Sequence, residues 1–230
     1  MKKLSFDPHK AMPTGKDIEK ILKHSADGKT LTAYADSVHK LEEVTAHFIL
    51  NALRSSGIAV NSGSKYGIDE LKRKTGVSPK HEKLFVRLLE ILAEKELAVV
   101  SDGMVSFSED ASAVLENAPG INDTASDDPA KHELAFAIQC GRRLRDVLAE
   151  KADALEVLFP GGDFTAAGNI YRHSPGFEVM NRIISKTLSN IQRSLNSGRK
   201  LRVLELGAGT GSTSINALKD LRQSKTEYVF

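Results

Sequence analysis

The stretch that decides the fold is LRVLELGAGTGSTS, residues 201–214. Its first six residues, 201–206, form a short run of leucines with the β-branched Val203, and glycines follow this run, which predicts a buried parallel strand. A helical pattern over 212–222 follows, and 227–230 resembles the start of a second strand. This order of strand, glycine-rich turn and helix is typical of α/β domains that bind a nucleotide-type cofactor, although such a turn also occurs for purely structural reasons.

The glycine-rich turn has a spacing that restricts the kind of ligand. Gly207 and Gly209 permit a tight reversal and a close approach of a ligand to the backbone. The first amides of the helix from Gly211 lack partners and face the crevice at the end of the strand. Dinucleotide folds usually carry Gly-x-Gly-x-x-Gly for a pyrophosphate. S-adenosylmethionine has no phosphate, so a tighter Gly-x-Gly-x-Gly loop that holds its amino-acid end is physically sensible.

We predict that the cofactor is bound by the turn and by the acidic residue beside it. Glu205 would anchor amides of the loop or meet the ammonium group of the cofactor. The predicted cofactor-binding residues are Glu205, Gly207, Ala208, Gly209, Thr210 and Gly211.

The pattern upstream predicts helices over 17–24, 36–55, 68–74 and 79–95, with Ser78 as the N-cap of the last. Strands over 97–100 and 104–107 flank an Asp-Gly turn, and this order is typical of a winged-helix module. Helices are also predicted over 129–150, 154–159 and 176–196. In the last helix Met180, Ile184 and Ile191 recur on one side. The predicted division is an N-terminal extension 1–34, a winged-helix-like module 35–116, a linker 117–128, a helical region 129–198 and a first βαβ segment 199–230.

Bulk composition excludes several classes of protein. The 230 residues are 40% hydrophobic and 27% charged, and the net charge of +2 gives no general attraction to nucleic acid or acidic membranes. The single cysteine, Cys140, fits a reducing cytoplasmic setting. No apolar run approaches the about 18 residues of a membrane span. The basic N-terminus lacks the apolar segment of a secretion signal.

The motif at 201–214 resembles the first motif of class I S-adenosylmethionine-dependent methyltransferases, most closely that of polyketide-synthase methyltransferase domains. Four upstream stretches are similar to the lid region of that family, in the family's order: HELA 132–135, CGRRL 140–144, LEVLFP 155–160 and IYRHSP 170–175. The final TEYVF, 226–230, is similar to the family's second strand. The resemblance is good over about 130–230 and loose over 36–110.

The resemblance implies a mostly α-helical winged-helix-like and lid region followed by the start of a truncated α/β Rossmann-like domain. It implies methyl transfer from S-adenosylmethionine to the α-carbon of a β-ketoacyl chain on an acyl carrier protein. The family's catalytic His/Glu pair and its ribose-binding acid follow the part present here, so we expect no methyl transfer by this chain alone. Other synthase domains, or the remainder of the methyltransferase core, are the expected partners. Tyr171 matches a lid tyrosine that positions the reacting groups, although a plain core tyrosine is an alternative.

Three other functions stay open. An O-methyltransferase of the same assembly lines would carry the same motif. A winged-helix DNA-binding regulator is less favoured than a lid or docking role, because acidic residues offset half of the basic cluster formed by Lys65, Lys72, Arg73, Lys74, Lys80 and Lys83. A non-catalytic scaffold is the third.

No metal site is predicted. His39, Glu43 and His47 share a helix face, but two turns separate the imidazoles by about 12 Å, and a solvated face is expected. His132 and His173 are expected at the surface or at helix caps, and Cys140 is expected to be packed.

Overall fold

The computed structural model describes residues 11–25, 28–117, 127–195 and 198–230. Two units are formed: one combines the described parts of Met1–Ala35 with Phe164–Phe230, and the other is Asp36–Asp163. This grouping differs from the predicted division, because the N-terminal extension joins the glycine-loop segment and the region 129–198 is divided near residue 163. Most of the predicted linker lies outside the described residues. No helix in the described ranges is long and apolar enough to cross a lipid bilayer.

The unit Asp36–Asp163 is built on helices and a small antiparallel sheet. Residues 36–54 of helix α2 belong to it. Its elements are α2 (Gly28–Arg54), β1 (Lys65–Gly67), α3 (Ile68–Thr75), α4 (Glu82–Glu94), β2 (Ala98–Ser101), β3 (Met104–Phe107), α5 (Glu109–Glu116), α6 (Lys131–Arg142), α7 (Leu144–Leu148) and α8 (Ala154–Leu158). The sheet has the order β1-β3-β2. The Asp-Gly turn between β2 and β3 is observed, with positive φ at Asp102 and Gly103.

The core of this unit is apolar and lies between α2, α4 and the sheet. It includes Leu50, Leu53, Leu71, Phe85, Leu89 and Val105. A second cluster joins α2 to α6 through Val44, Phe48, Leu134 and Ile138. Gly141 packs so closely on Phe48 that a Cβ atom at this position would overlap the ring. The glycine is therefore required by packing, since its φ is not in the left-handed region.

Several expectations for this unit are corrected by the structure. Ser78 makes no side-chain cap hydrogen bond, and its hydroxyl is buried without a partner among the described residues. The helix predicted over 129–150 is divided at Arg143, where the backbone leaves helical geometry. His47 is buried, not solvated, and its Nδ1 lies 3.2 Å from the Val114 carbonyl oxygen. Burial follows because His47 and its neighbour Phe48 lie on the packed side of α2.

The other unit contains the predicted strand, turn and helix. Its elements are α1 (Gly15–Ser25), the start of α2, α9 (Thr165–His173), α10 (Pro175–Ser194), β4 (Leu201–Leu204), α11 (Ser212–Asp220) and β5 (Thr226–Val229). Strands β4 and β5 pair in parallel, with Leu201 opposite Thr226 and Leu204 opposite Val229. Helix α11 forms the crossover that this parallel pairing requires. Helix α9, which contains Tyr171, was not predicted.

Helix α10 packs on α11 through polar side chains. The buried residues on this side include Asn181, Ser185, Ser189 and Gln192. Ser185 donates to Asp220 Oδ2 of α11 at 2.6 Å, and beyond α11 Gln192 Nε2 donates to Thr226 Oγ1, at the start of β5, at 2.6 Å. Met180 and Ile184, which the apolar pattern emphasised, are exposed. The pattern misled here because small and amide side chains let the helices approach and satisfy one another's polar groups.

Helix α1 is fixed at its beginning by reciprocal hydrogen bonds. Thr14 N donates to Asp17 Oδ2 at 3.0 Å, and Asp17 N donates to Thr14 Oγ1 at 3.2 Å, as in a capping box. Lys186 of α10 lies 2.9 Å from Asp17 Oδ1. The hydrogen bonds from Lys186 and from Thr14 lower the pKa of Asp17 to about 2. Asp17 therefore both caps α1 and ties it to α10.

We predict that Gly141→Ala destabilises the protein. The added methyl group would collide with the Phe48 ring, and overpacking of this kind costs about 1–3 kcal/mol. Urea unfolding followed by circular dichroism measures the change. Gly15→Ala is the matched control, because a Cβ atom there meets nothing within 4 Å. Equal stability of the two variants would contradict the close packing of Gly141 in α6 against the Phe48 ring.

The contribution of Asp17 should depend on pH. Its pKa is lowered in the folded state from 3.8 to about 2, so its stabilising effect is present above pH 4 and is lost as the pH falls through 2. We expect Asp17→Asn to unfold at a lower temperature than the unmodified chain at pH 6, with the difference shrinking toward pH 2. Glu19→Gln on the same helix is the control. A pH-independent difference would contradict this role.

Candidate functional site

The turn from β4 into α11 uses three left-handed backbone conformations. Gly207, Gly209 and Gly211 have φ values of 76°, 57° and 70°, a region that other residues enter at a cost. The Gly211 amide donates to the Ala208 carbonyl oxygen at 2.9 Å and closes the turn. The Glu205 amide donates to the Val229 carbonyl oxygen at 2.9 Å. The turn therefore begins at the edge where β4 and β5 end.

The backbone of the turn faces open space. A Cβ atom at Gly207 or Gly211 would meet nothing within 4 Å, and one at Gly209 would meet only the Gly207 carbonyl oxygen, at 3.8 Å. The first amides of α11 have no acceptor one turn earlier in the helix and carry the positive end of its dipole. Negative charge is favoured near the start of such a helix.

Glu205 lies half-buried at the end of β4. Its Oε2 atom accepts hydrogen bonds from the hydroxyls of Ser214 at 2.6 Å and Tyr228 at 2.8 Å. The predicted anchoring of loop amides by this carboxylate is not seen among the described residues. Burial, and then the hydrogen bond to Glu205, raise the pKa of Tyr228 to about 12. The phenol therefore stays a hydrogen-bond donor throughout the physiological range of pH.

Helix α9 passes close to the glycine-rich turn. A Cβ atom at Gly168 would lie 3.9 Å from the side chain of Thr210. Thr210 Oγ1 and Ser212 Oγ are 2.9 Å apart and share a hydrogen bond. The structure thus places the predicted residues of the turn beside a helix that sequence patterns did not reveal.

Tyr171 lies on α9 with 46% of its surface exposed, so it is not a core tyrosine. Its ring packs edge to face on Phe177 with the centroids 4.9 Å apart. Asn181 of α10 donates through Nδ2 to the Tyr171 carbonyl oxygen at 3.0 Å and accepts from Thr213 Oγ1 at 2.8 Å. Asn181 therefore connects the end of α9 to the first turn of α11. In the sequence, the one indication of this role is that Asn181 lies within an otherwise apolar helical pattern.

The remaining candidates lie apart from the turn. His39 is exposed whereas His47 is buried, and the described residues contain no group of three side chains suited to hold a metal ion. Cys140 is partly buried, and this burial raises the pKa of its thiol. His132 is half-buried and His173 is exposed.

Part of the predicted basic cluster is neutralised by ion pairs. Lys72 lies 2.9 Å from Glu82 and 3.4 Å from Asp69, and Lys74 lies 3.5 Å from Glu70. These pairs reduce the positive field that a DNA backbone would meet.

The chain is similar to parts of polyketide synthases. It is 28% identical to the non-reducing polyketide synthase mapC of Penicillium roqueforti over 193 residues, 80% of this chain. It is 29% identical to the non-reducing polyketide synthase ausA of Penicillium brasilianum over 218 residues, 90% of this chain. The matched part is 8% of either synthase. No family model matches the chain.

The structure is similar to solved carbon methyltransferases. The CurJ carbon methyltransferase matches 93% of this chain with a TM-score of 0.74 and 26% identity, and this chain covers 56% of that one. The DszA carbon methyltransferase, at 22% identity, matches the fold over 98% of this chain with a TM-score of 0.77, and 58% of that chain is covered. The predicted resemblance is thereby confirmed: the relatives are polyketide synthases, and the structural neighbours are methyltransferases.

We predict that Asn181→Ala lowers the stability of the unit that contains the glycine-rich turn. The change leaves the Thr213 hydroxyl and the Tyr171 carbonyl without this partner, at a cost of about 1–3 kcal/mol in the free energy of unfolding. Chemical denaturation measures it. Asn51→Ala, which removes an exposed 3.4 Å hydrogen bond from Arg54, should change stability by about 0.5 kcal/mol or less. An Asn181→Ala variant as stable as the unmodified chain would contradict the role of Asn181 in connecting α9 to α11.

Proposed function

We propose that this chain is the lid and cofactor-loop portion of a polyketide-synthase C-methyltransferase domain and that it binds S-adenosylmethionine. The observation that carries the proposal is the open turn at Gly207–Gly211 beside the half-buried carboxylate of Glu205. The similarity to the CurJ carbon methyltransferase favours methylation at carbon over methylation at oxygen.

The residues of the turn match the two charges at the amino-acid end of this cofactor. Its carboxylate would be held by the amides in the first turn of α11, which have no acceptor within the helix and where the helix dipole favours negative charge. Its ammonium group would be held by Glu205. The left-handed glycines leave room for the cofactor against the backbone of the turn. When bound, the cofactor supplies an electrophilic methyl group on a sulfonium ion.

The substrate in this proposal is a β-ketoacyl chain on an acyl carrier protein, with methyl transfer to its α-carbon. Tyr171 would be a positioning residue near the reacting groups. Its ring is partly exposed and packs on Phe177, so its hydroxyl can donate a hydrogen bond to a bound acyl chain. The exposed aromatic pair also offers an apolar surface to such a chain.

The unit Asp36–Asp163 is proposed to be a winged-helix-like lid or docking module. Its order of helix, strand, two helices and hairpin supports this description. The ion pairs of Lys72 and Lys74 favour a protein-facing role over DNA binding. In the other unit, Leu204 of β4 is 69% exposed and Leu206 is 85% exposed. Such apolar exposure supports the packing of further methyltransferase core or another synthase domain against β4 and β5.

The proposal is tested by calorimetry with S-adenosylhomocysteine, the demethylated form of the cofactor. We expect saturable binding by the full chain. Gly207→Ala should weaken binding about tenfold, which is about 1.4 kcal/mol of binding free energy, because its methyl group enters the open space above the turn that the cofactor would occupy. An absence of binding by the unmodified chain would overturn the proposal.

Gly103→Ala is the matched control for this substitution. Gly103 has a φ of 72° and open space around its Cβ position, like Gly207, but it lies in the turn between β2 and β3. The control carries the same backbone penalty and should leave the affinity unchanged. A loss of affinity in both variants would indicate a general loss of folding and not an effect at the turn.

A further inference from the structure

The carboxylate of Glu205 is held through one of its two oxygens. Both hydroxyl donors, from Ser214 and Tyr228, reach Oε2. Among the described residues no hydrogen bond reaches Oε1. The carboxylate is thus fixed on one side and retains an acceptor atom for a further donor.

The two donors come from different elements, and both are constrained. Ser214 is buried in the first turn of α11, and Tyr228 is half-buried on β5. The Glu205 amide is itself bonded to Val229, the residue that follows Tyr228. Backbone and side chain of Glu205 are therefore both anchored to the edge formed by β4, β5 and α11. A glutamate side chain has three rotatable bonds, and two strong hydroxyl-to-carboxylate bonds restrict them.

We propose that Tyr228 and Ser214 are positioning residues that orient the Glu205 carboxylate, leaving Oε1 to accept the ammonium group at the amino-acid end of the cofactor. This inference rests on the proposed function. Each hydroxyl would act through Glu205 and not on the cofactor itself. Holding the carboxylate before the ligand arrives removes the entropy loss of fixing a flexible side chain during binding.

The effect should be confined to ligands that carry the ammonium group. S-adenosylhomocysteine has the amino-acid end, whereas 5′-methylthioadenosine has the same nucleoside thioether without it. We expect Tyr228→Phe and Ser214→Ala each to weaken the binding of S-adenosylhomocysteine about fivefold. The affinity of each variant for 5′-methylthioadenosine should stay unchanged. The two variants remove different donors, so a folding defect in one leaves the other as a test.

A double-mutant cycle separates positioning from packing. Glu205→Gln removes the charge that attracts the ammonium group. In that background Tyr228→Phe should cause no further loss of affinity for S-adenosylhomocysteine, because it acts only through the carboxylate. Tyr66→Phe is the matched control, since the Tyr66 hydroxyl accepts a hydrogen bond from the Ala59 amide at 3.1 Å in the other unit. It should leave both affinities unchanged.

Two results would overturn the inference while leaving the proposed function intact. One is an equal loss of affinity for both ligands, and the other is unchanged binding of S-adenosylhomocysteine by both hydroxyl variants. Failure of the unmodified chain to bind either ligand would overturn the proposed function and this inference with it.

Discussion

The structure around the glycine-rich turn depends on a constraint on the backbone: strand β4 must reverse into helix α11 within a few residues. That reversal needs left-handed conformations at Gly207, Gly209 and Gly211, which carry a steric penalty for any residue with a Cβ atom. Because the turn is so short, the end of β4, the first amides of α11 and the end of β5 meet at one edge. The meeting of these three groups results from connectivity more than from any single side chain.

The sequence was sufficient to predict those elements whose conformation is determined by their own residues. The turn follows from its glycines, and α3, α4 and the hairpin around Asp102 follow from helical spacing, proline and turn residues. Of the candidate site, the same local signal indicated the turn and Glu205. The partners of Glu205 could not be predicted, because Ser214 and Tyr228 are brought to it by the crossover of α11 and the pairing of β5.

Elements defined by distant contacts were missed or misassigned. Strand β1 has three residues and exists through its pairing with β3, so its sequence alone carries little signal. Helix α9 is short and contains Gly168, and its large hydrophobic side chains are the adjacent pair Ile170 and Tyr171, which cannot show a helical repeat. His47 was expected in solvent because its helix face looked polar, yet α5 presents a carbonyl group to it.

The polar contact between α10 and α11 has a consequence for how the chain selects one arrangement. A purely apolar contact between two helices tolerates sliding, since one methyl group replaces another at little cost. Here a displacement by one turn would separate Ser185 of α10 from Asp220 of α11, and Gln192 of α10 from Thr226 at the start of β5. Ser185 and Gln192 are buried, so each would lose these bonds in a place that water does not reach. The alignment of the two helices is therefore fixed by geometry-dependent bonds, which discriminate between competing folded states more sharply than they add to overall stability.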